Sequence, residues 1–149
     1  MADVLTPEQR RKNMRAIKSK DTKPEIILRK ALWREGIRYR KNWKDLPGKP
    51  DIAITKYRIA VFCDSEFFHG QDWEELELKL QKSNNSEFWI GKIKRNIERD
   101  KEVDHELRFL EWTIIRFWSK DILRHTEKCV DVIKELIFEF KINANSDNY

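Results

Sequence analysis

Two short runs rich in apolar and β-branched residues, one through Ile52-Ala53-Ile54 and one ending at Val61-Phe62, are separated only by Lys56 and Tyr57. Such a pair predicts a β-hairpin. With Thr55 paired to Arg58, Asp51 falls opposite Phe62. Strand side chains alternate, so Asp51, Ala53 and Thr55 share a face with Arg58, Ala60, Phe62 and, if the strand runs on, Asp64. Residues 112–118 predict a third core strand, and residues 37–43 a strand ahead of the Pro47-Gly48-Lys49-Pro50 turn.

Helical spacing fills the rest. Thr22-Lys23-Pro24-Glu25 reads as a capping box opening a helix to about Arg34, stopped by Gly36, with Leu28, Ala31 and Leu32 as its apolar stripe. Residues 73–82 form an acidic-then-basic helical stretch. After the polar break at 83–86, a helix over 87–110 carries Phe88 and Trp89 in its first turn and Ile93, Ile97 and Val103 along it. Residues 127–141 predict a closing amphipathic helix with Val130, Ile133, Leu136, Ile137 and Phe140, and residues 143–149 a frayed tail. Mixed strands and helices without repeats or long linkers predict one α/β domain over residues 1–149.

Composition supports a packed core. Six Trp, eight Phe and three Tyr are too many large apolar groups for a disordered chain, despite 38% charged residues. No run approaches ~18 apolar residues and the first fifteen residues hold no apolar signal core, so a soluble cytoplasmic protein is expected. Two cysteines, Cys63 and Cys129, make neither a disulfide framework nor a zinc site, which fits a reducing compartment.

Charge then changes the picture. Residues 8–44 carry 14 Lys and Arg against 4 Asp and Glu, a local balance of +10 in a chain whose net charge is +5. Arg10, Arg11, Lys12, Arg15, Lys18, Lys20 and Lys23 lie in a segment with few apolar residues, the composition of an arm that contacts phosphates. A solvated basic tail without a partner has the same composition.

The candidate chemistry sits at one end of the hairpin. On the predicted face Asp51 and Asp64 are diagonal neighbours with backbones roughly 7–8 Å apart, a separation that suits two carboxylates around one cation. Mg²⁺ needs only a few such oxygens, completing its octahedron with water and substrate phosphate. His69 can move a proton, and Glu66 stands beside it. Blander roles exist for each: Asp51 as a turn residue, Asp64 as a helix N-cap, His69 as a surface histidine, Glu25 as the capping-box acid, Trp89 as core packing.

Taken in order, Arg11-Lys12-Asn13-Met14-Arg15-Ala16-Ile17, Asp21-Thr22, Glu25, Leu46-Pro47-Gly48-Lys49-Pro50-Asp51, Tyr57-Arg58, Val61-Phe62, Phe67, His69, Glu87-Phe88-Trp89, Lys92-Ile93 and Asn96-Ile97-Glu98-Arg99-Asp100 form a collinear set. This set resembles the very-short-patch-repair (Vsr) mismatch endonucleases, a branch of the restriction-endonuclease-like fold. The resemblance implies a three-layer α/β core with a central mixed sheet. It also implies a Mg²⁺-dependent enzyme that nicks double-stranded DNA beside a T:G mismatch. It makes Asp51 the metal-binding carboxylate, with the backbone carbonyl of Cys63 as a second ligand and His69 as the acid or base at the scissile phosphate. Glu25 is expected to orient water or His69; Asp64 is expected to join Asp51 at the metal from its place on the predicted hairpin face, not from the resemblance. Phe67, Phe68 and Trp89 are expected to wedge into the base stack, which costs least to open at a mispaired step. Asn96 and the arm residues Arg11, Lys12, Arg15 and Lys18 complete the DNA-contacting set.

Departures from the family accompany these matches. Family members typically carry His at the position of Asp64, Thr at Cys63 and Trp at Phe68. They hold a structural zinc through Cys and His where this chain has Glu66, Gln71, Trp73 and Ser119, so zinc is not expected. Other readings are a nuclease of this fold with no mismatch requirement and a DNA-binding module without turnover. Nicking one strand needs one active site, so a monomer is expected, with repair-protein partners an open alternative.

Overall fold

The computed structural model describes residues 20–146. The arm residues Arg11, Lys12, Arg15 and Lys18 lie outside them. In chain order the elements are α1 (Lys23–Arg34), β1 (Arg40–Lys41), β2 (Ile52–Ile54), a 3₁₀ turn (Thr55–Tyr57), β3 (Ile59–Asp64), α2 (Trp73–Gln81), α3 (Ser86–Phe109), β4 (Thr113–Trp118), α4 (Ser119–Arg124) and α5 (Thr126–Ser146). The strands form one mixed sheet in the order β1-β2-β3-β4. β2 pairs antiparallel with both β1 and β3, and β4 joins β3 in parallel. A parallel partner needs a long crossover, which residues 65–112 with α2 and α3 supply.

The hairpin register is the expected one: Ile52 opposes Val61, Ala53 opposes Ala60 and Ile54 opposes Ile59, with Asp51 just before the paired run. The join is not a two-residue hairpin turn. Type I′ turns need φ > 0 at both central residues, which Lys56 and Tyr57 resist. The chain instead makes a 3₁₀ turn and puts only Arg58 in the left-handed region, at φ 52°.

Alternation along β3 builds two cores. Ile59, Val61 and Cys63 face Leu28 and Leu32 of α1, Ile122 of α4 and Val130, Ile133 and Ile137 of α5. Ala60 and Phe62 face Leu107 and Val103 of α3, with Leu46, Trp112 and Ile114. Helices on both faces of a mixed sheet give the three-layer α/β arrangement implied by the resemblance. Gly48, at φ 74°, lets the loop before Asp51 lie directly on α3, because a Cβ there would collide with Val103.

Three expectations need correction. The strand over residues 37–43 shrinks to Arg40–Lys41, an exposed two-residue edge, while Ile37 turns into the core. Charged residues on short edge strands resist further pairing. The frayed tail expected from residue 143 is helical as far as Ser146, since nothing between 141 and 146 is a Gly or Pro stop. The capping box is displaced. Thr22 makes no side-chain cap bond, and Glu25 reaches back to the N–H of Asp21, one residue before the cap. Among the described residues, no helix is long and apolar enough to cross a membrane.

Candidate active site

Asp51 stands just before β2, where the hairpin face meets the loop from Pro47. Its Oδ2 accepts a 2.7 Å hydrogen bond from the Cys63 N–H. Pro50, which has no N–H to donate, precedes Asp51, and the Pro50 carbonyl accepts from the Trp43 N–H at 3.1 Å. Burial pushes the Asp51 carboxyl up to about 7, with the charges of Glu25 and Asp64 adding to the rise and the Cys63 N–H and Arg29 opposing it. Burial likewise pushes the Cys63 thiol up, so it stays a neutral thiol.

Glu25 is 3% exposed on the buried face of α1. Its Oε2 accepts from the Asp21 N–H at 2.8 Å and from Arg29 at 2.9 Å. Arg29 also donates to Asp21 Oδ1 at 2.8 Å, and the Asn42 amide adds a 3.2 Å bond to that oxygen. Bonding to Arg29 holds Asp21 below its usual range. This knot fixes the end of the described chain beside Asp51.

His69 meets a second knot. Its Nδ1 lies 2.7 Å from Asp100 Oδ2 and its Nε2 3.8 Å from Asp64 Oδ1. Burial works against the imidazolium, but the Asp100 hydrogen bond and the charges of Asp64 and Asp100 outweigh it, so the His69 pKa is raised. Asp64 does share the Asp51 face, yet both its oxygens meet the Arg116 guanidinium, at 3.3 and 3.1 Å. Arg116 also reaches Asp104 at 2.7 Å and Asp100 at 3.6 Å. Burial pushes the Asp64 carboxyl up against the pull of His69 and Arg116. Asp64, His69 and Asp100 bring ligand atoms within 4.8 Å of one another, a spacing able to hold a metal ion.

Asp100 entered the sequence reading only inside a motif, and Asp104 and Arg116 not as site residues. A signal existed for each. Arg116 interrupts an otherwise apolar strand, and Asp100 and Asp104, four apart, share one face of α3.

The aromatic residues form a partly exposed cluster outside both cores. Phe67 lies 5.3 Å from Phe68 and 5.4 Å from Trp89, centroid to centroid, and Phe88, 57% exposed, lies 5.2 Å from Trp89. Lys92 Nζ sits 5.7 Å from both the Phe68 and Trp89 rings. The Asn96 amide donates to the Phe68 carbonyl at 2.9 Å and so holds the aromatic loop.

At the positions where the family holds zinc, direct bonds tie the same loop. Glu66 Oε1 accepts from the Lys120 N–H at 2.6 Å, and Ser119 Oγ donates to the Asp64 carbonyl at 3.2 Å. The Gln71 N–H donates to the Glu66 carbonyl at 2.8 Å. One groove collects Glu25, Asp51, Cys63, Asp64, Phe68 and His69, with Lys44, Lys49, Lys92 and Arg99 along it.

Comparison with known proteins gives the family. Residues 2–75 match the family model described as DNA mismatch endonuclease Vsr. The chain is 49% identical over 135 residues to the type II nicking enzyme V.NmeDIP of Neisseria meningitidis serogroup C, covering 91% of this chain and 90% of that one. It is 47% identical over 138 residues to the type II nicking enzyme V.HpaIIP of Haemophilus parainfluenzae, covering 92% and 96%. With the DNA mismatch endonuclease Vsr of Escherichia coli K12 it shares 37% identity over 133 residues, covering 88% and 81%.

Proposed function

Since this chain belongs to the Vsr family and is a DNA endonuclease, we propose that it nicks one strand of duplex DNA at a T:G mismatch, using Mg²⁺ and acting as a monomer. The observation that supports this reading is the buried Asp51 carboxylate, whose Oδ2 accepts from the Cys63 N–H, in one groove with the carboxylates of Glu25 and Asp64. Those are hard oxygen donors, and a buried carboxylate crowded by Glu25 and Asp64 gains most from a bound cation. The donor set therefore fits Mg²⁺, with Asp51 and the Cys63 carbonyl as its protein ligands. Bound there, the ion would supply positive charge to a phosphate oxygen and acidify a water.

The chain's own groups do the rest. Asp100 holds Nδ1 of His69, which fixes the ring and leaves Nε2 to hand a proton to the leaving oxygen. Glu25, buried and within the field felt by Asp51, orients the attacking water. Asp64 takes part through the charge network around His69, since Arg116 engages both its oxygens. Phe67, Phe68 and Trp89, joined by Phe88, present rings to the opened base step, where unstacking costs a few kcal/mol and least at a mispair. Asn96 sets the pose of that loop. Lys92, Arg99 and the arm residues Arg11, Lys12, Arg15 and Lys18 bind phosphates without reading sequence.

The names of the type II nicking relatives favour a second reading, nicking without a mismatch requirement. End-labelled duplexes that differ only in a T:G or C:G pair, incubated with protein and Mg²⁺, separate the two. Nicking confined to the mismatched duplex supports mismatch repair, and equal nicking of both replaces it with the second reading.

A further inference from the structure

We propose that Arg116 is a positioning residue for His69: it holds the Asp64 carboxylate back from Nε2, so that this nitrogen stays free for the leaving oxygen. The inference rests on the proposed role of His69 as proton donor, but its own support is the geometry of the side chains around the ring. His69 stands between two carboxylates, Asp100 at 2.7 Å from Nδ1 and Asp64 at 3.8 Å from Nε2. Only the first is a hydrogen bond, since N–H···O contacts close at about 2.7–3.2 Å.

A carboxylate only 8% exposed and this near an imidazole N–H gains by closing the gap, because a charge-assisted bond satisfies both buried groups. Asp64 does not close it. Both its oxygens are engaged by Arg116 Nη1, at 3.1 and 3.3 Å. The same nitrogen lies 3.6 Å from Asp100 Oδ1, so His69, Asp100, Arg116 and Asp64 form a closed ring of charges.

Arg116 is the fixed member of that ring. Its Nε and Nη2 donate to Asp104 at 3.0 and 2.7 Å, and its guanidinium carbon lies 4.2 Å from the Phe62 ring centroid. Phe62 and Asp64 belong to β3, and Asp100 and Asp104 stand one turn apart on α3, so the guanidinium braces strand against helix beside His69. A planar fork with fixed donors can serve carboxylates on several sides at once, which an ammonium cannot. The two partners of the ring therefore divide the work: Asp100 orients His69 through Nδ1, and Arg116 keeps Nε2 unoccupied.

Steady-state nicking by the full chain, on whichever duplex wild type cleaves, tests the inference together with NMR of the His69 ring in the DNA-free protein. Arg116→Gln is expected to lower kcat about 10- to 100-fold, the loss typical of an orienting partner, with KM unchanged. In the same variant the Nε2 proton of His69 should move downfield and exchange slowly, as Asp64 closes on it. Adding Asp64→Ala to Arg116→Gln removes the competing acceptor and is expected to raise kcat about fivefold or more above Arg116→Gln alone. A merely structural brace gives no such recovery, because the second substitution deletes another of its contacts. Where Arg116→Gln does not fold, Arg116→Gln with Asp104→Asn, which leaves less uncompensated charge, takes its place in both measurements. Recovery of kcat together with the change at Nε2 supports the inference. Wild-type kcat in a folded Arg116 variant, no recovery on removing Asp64, or an unchanged Nε2 signal overturns it. Should His69→Gln nick as fast as wild type, the proton-donor reading is wrong, while the Nε2 signal still decides whether Arg116 restrains Asp64.

Discussion

The two ends of the groove contain similar acids and opposite solutions to their charge. On one side Asp51, Glu25 and Arg29 leave a buried carboxylate with a single backbone donor and a carboxyl raised to about 7. On the other, Asp64, Asp100 and Asp104 are all paired to Arg116, and Asp100 also holds His69. Burying a charge is costly unless it is paired or ligates a metal. On the proposed reading the first end receives a cation and the second is held by Arg116, and catalysis uses an ion seat next to a fixed proton donor.

Removing the first end should have the largest effect. Asp51→Ala is expected to lower nicking by more than about 10³-fold, beyond the ~10²–10³ of a single lost electrostatic contact. DNA binding in a filter or gel-shift assay should survive, since the proposed phosphate contacts do not involve Asp51. Asp51→Ala nicking at the wild-type rate would dissolve the contrast between the two ends.

The second end should respond more mildly. Asp100→Asn keeps a hydrogen-bond partner for His69 but removes its charge, and a drop of about 10–100-fold is expected by analogy with other orienting carboxylates. The loss should appear in kcat rather than KM, because the groove that binds DNA is unchanged. An equal or larger change in KM would assign Asp100 to binding instead.

The aromatic cluster sharpens the comparison from outside it. Phe67→Ala and Trp89→Ala should each weaken discrimination for mismatched over paired duplex by an amount on the order of 1–3 kcal/mol, the value of one base–aromatic stack. The rate on a preformed gap should be nearly unchanged. If both duplexes lose equally, the rings serve packing.

The smallest effect is on stability. In chelator, the Asp51 carboxyl sits at about 7 against an ordinary 3.8, raised by burial with Glu25 and Asp64 and opposed by the Cys63 N–H and Arg29. A carboxyl raised on folding contributes stability below the ordinary value that is lost as pH climbs through the folded one. The metal-free Tm should fall from pH 5 to pH 8, and Asp51→Asn should flatten that fall. Identical slopes in both proteins would place Asp51 in a solvated setting.

How much of this was legible in the chain follows from distance along it. The register of β2 and β3 was readable because apolar alternation over a few residues admits one pairing, and it placed Asp51, Phe62 and Asp64 on one face. The turn between them was misread as a plain two-residue hairpin, because Lys56 and Tyr57 push the strain onto Arg58. The partner of Asp64 was invisible: Arg116 arrives 52 residues later on a parallel strand. His69 and Asp100 are 31 residues apart and meet only through the crossover helix. α4 has six residues and one buried side chain, too short for periodicity to reveal. The departures from the family's pattern at Glu66, Gln71, Trp73 and Ser119 were legible in the chain. The bonds of Glu66 to Lys120 and of Ser119 to Asp64 that now tie the loop needed coordinates.

The most direct test of the contrast is an NMR titration of the DNA-free protein with Mg²⁺, following backbone amides. Shifts concentrated at Asp51, Ile52 and Cys63, with Asp100 and Asp104 nearly still, are the predicted result. Shifts concentrated at Asp100 and Asp104, with the Cys63 amide unmoved, would contradict it.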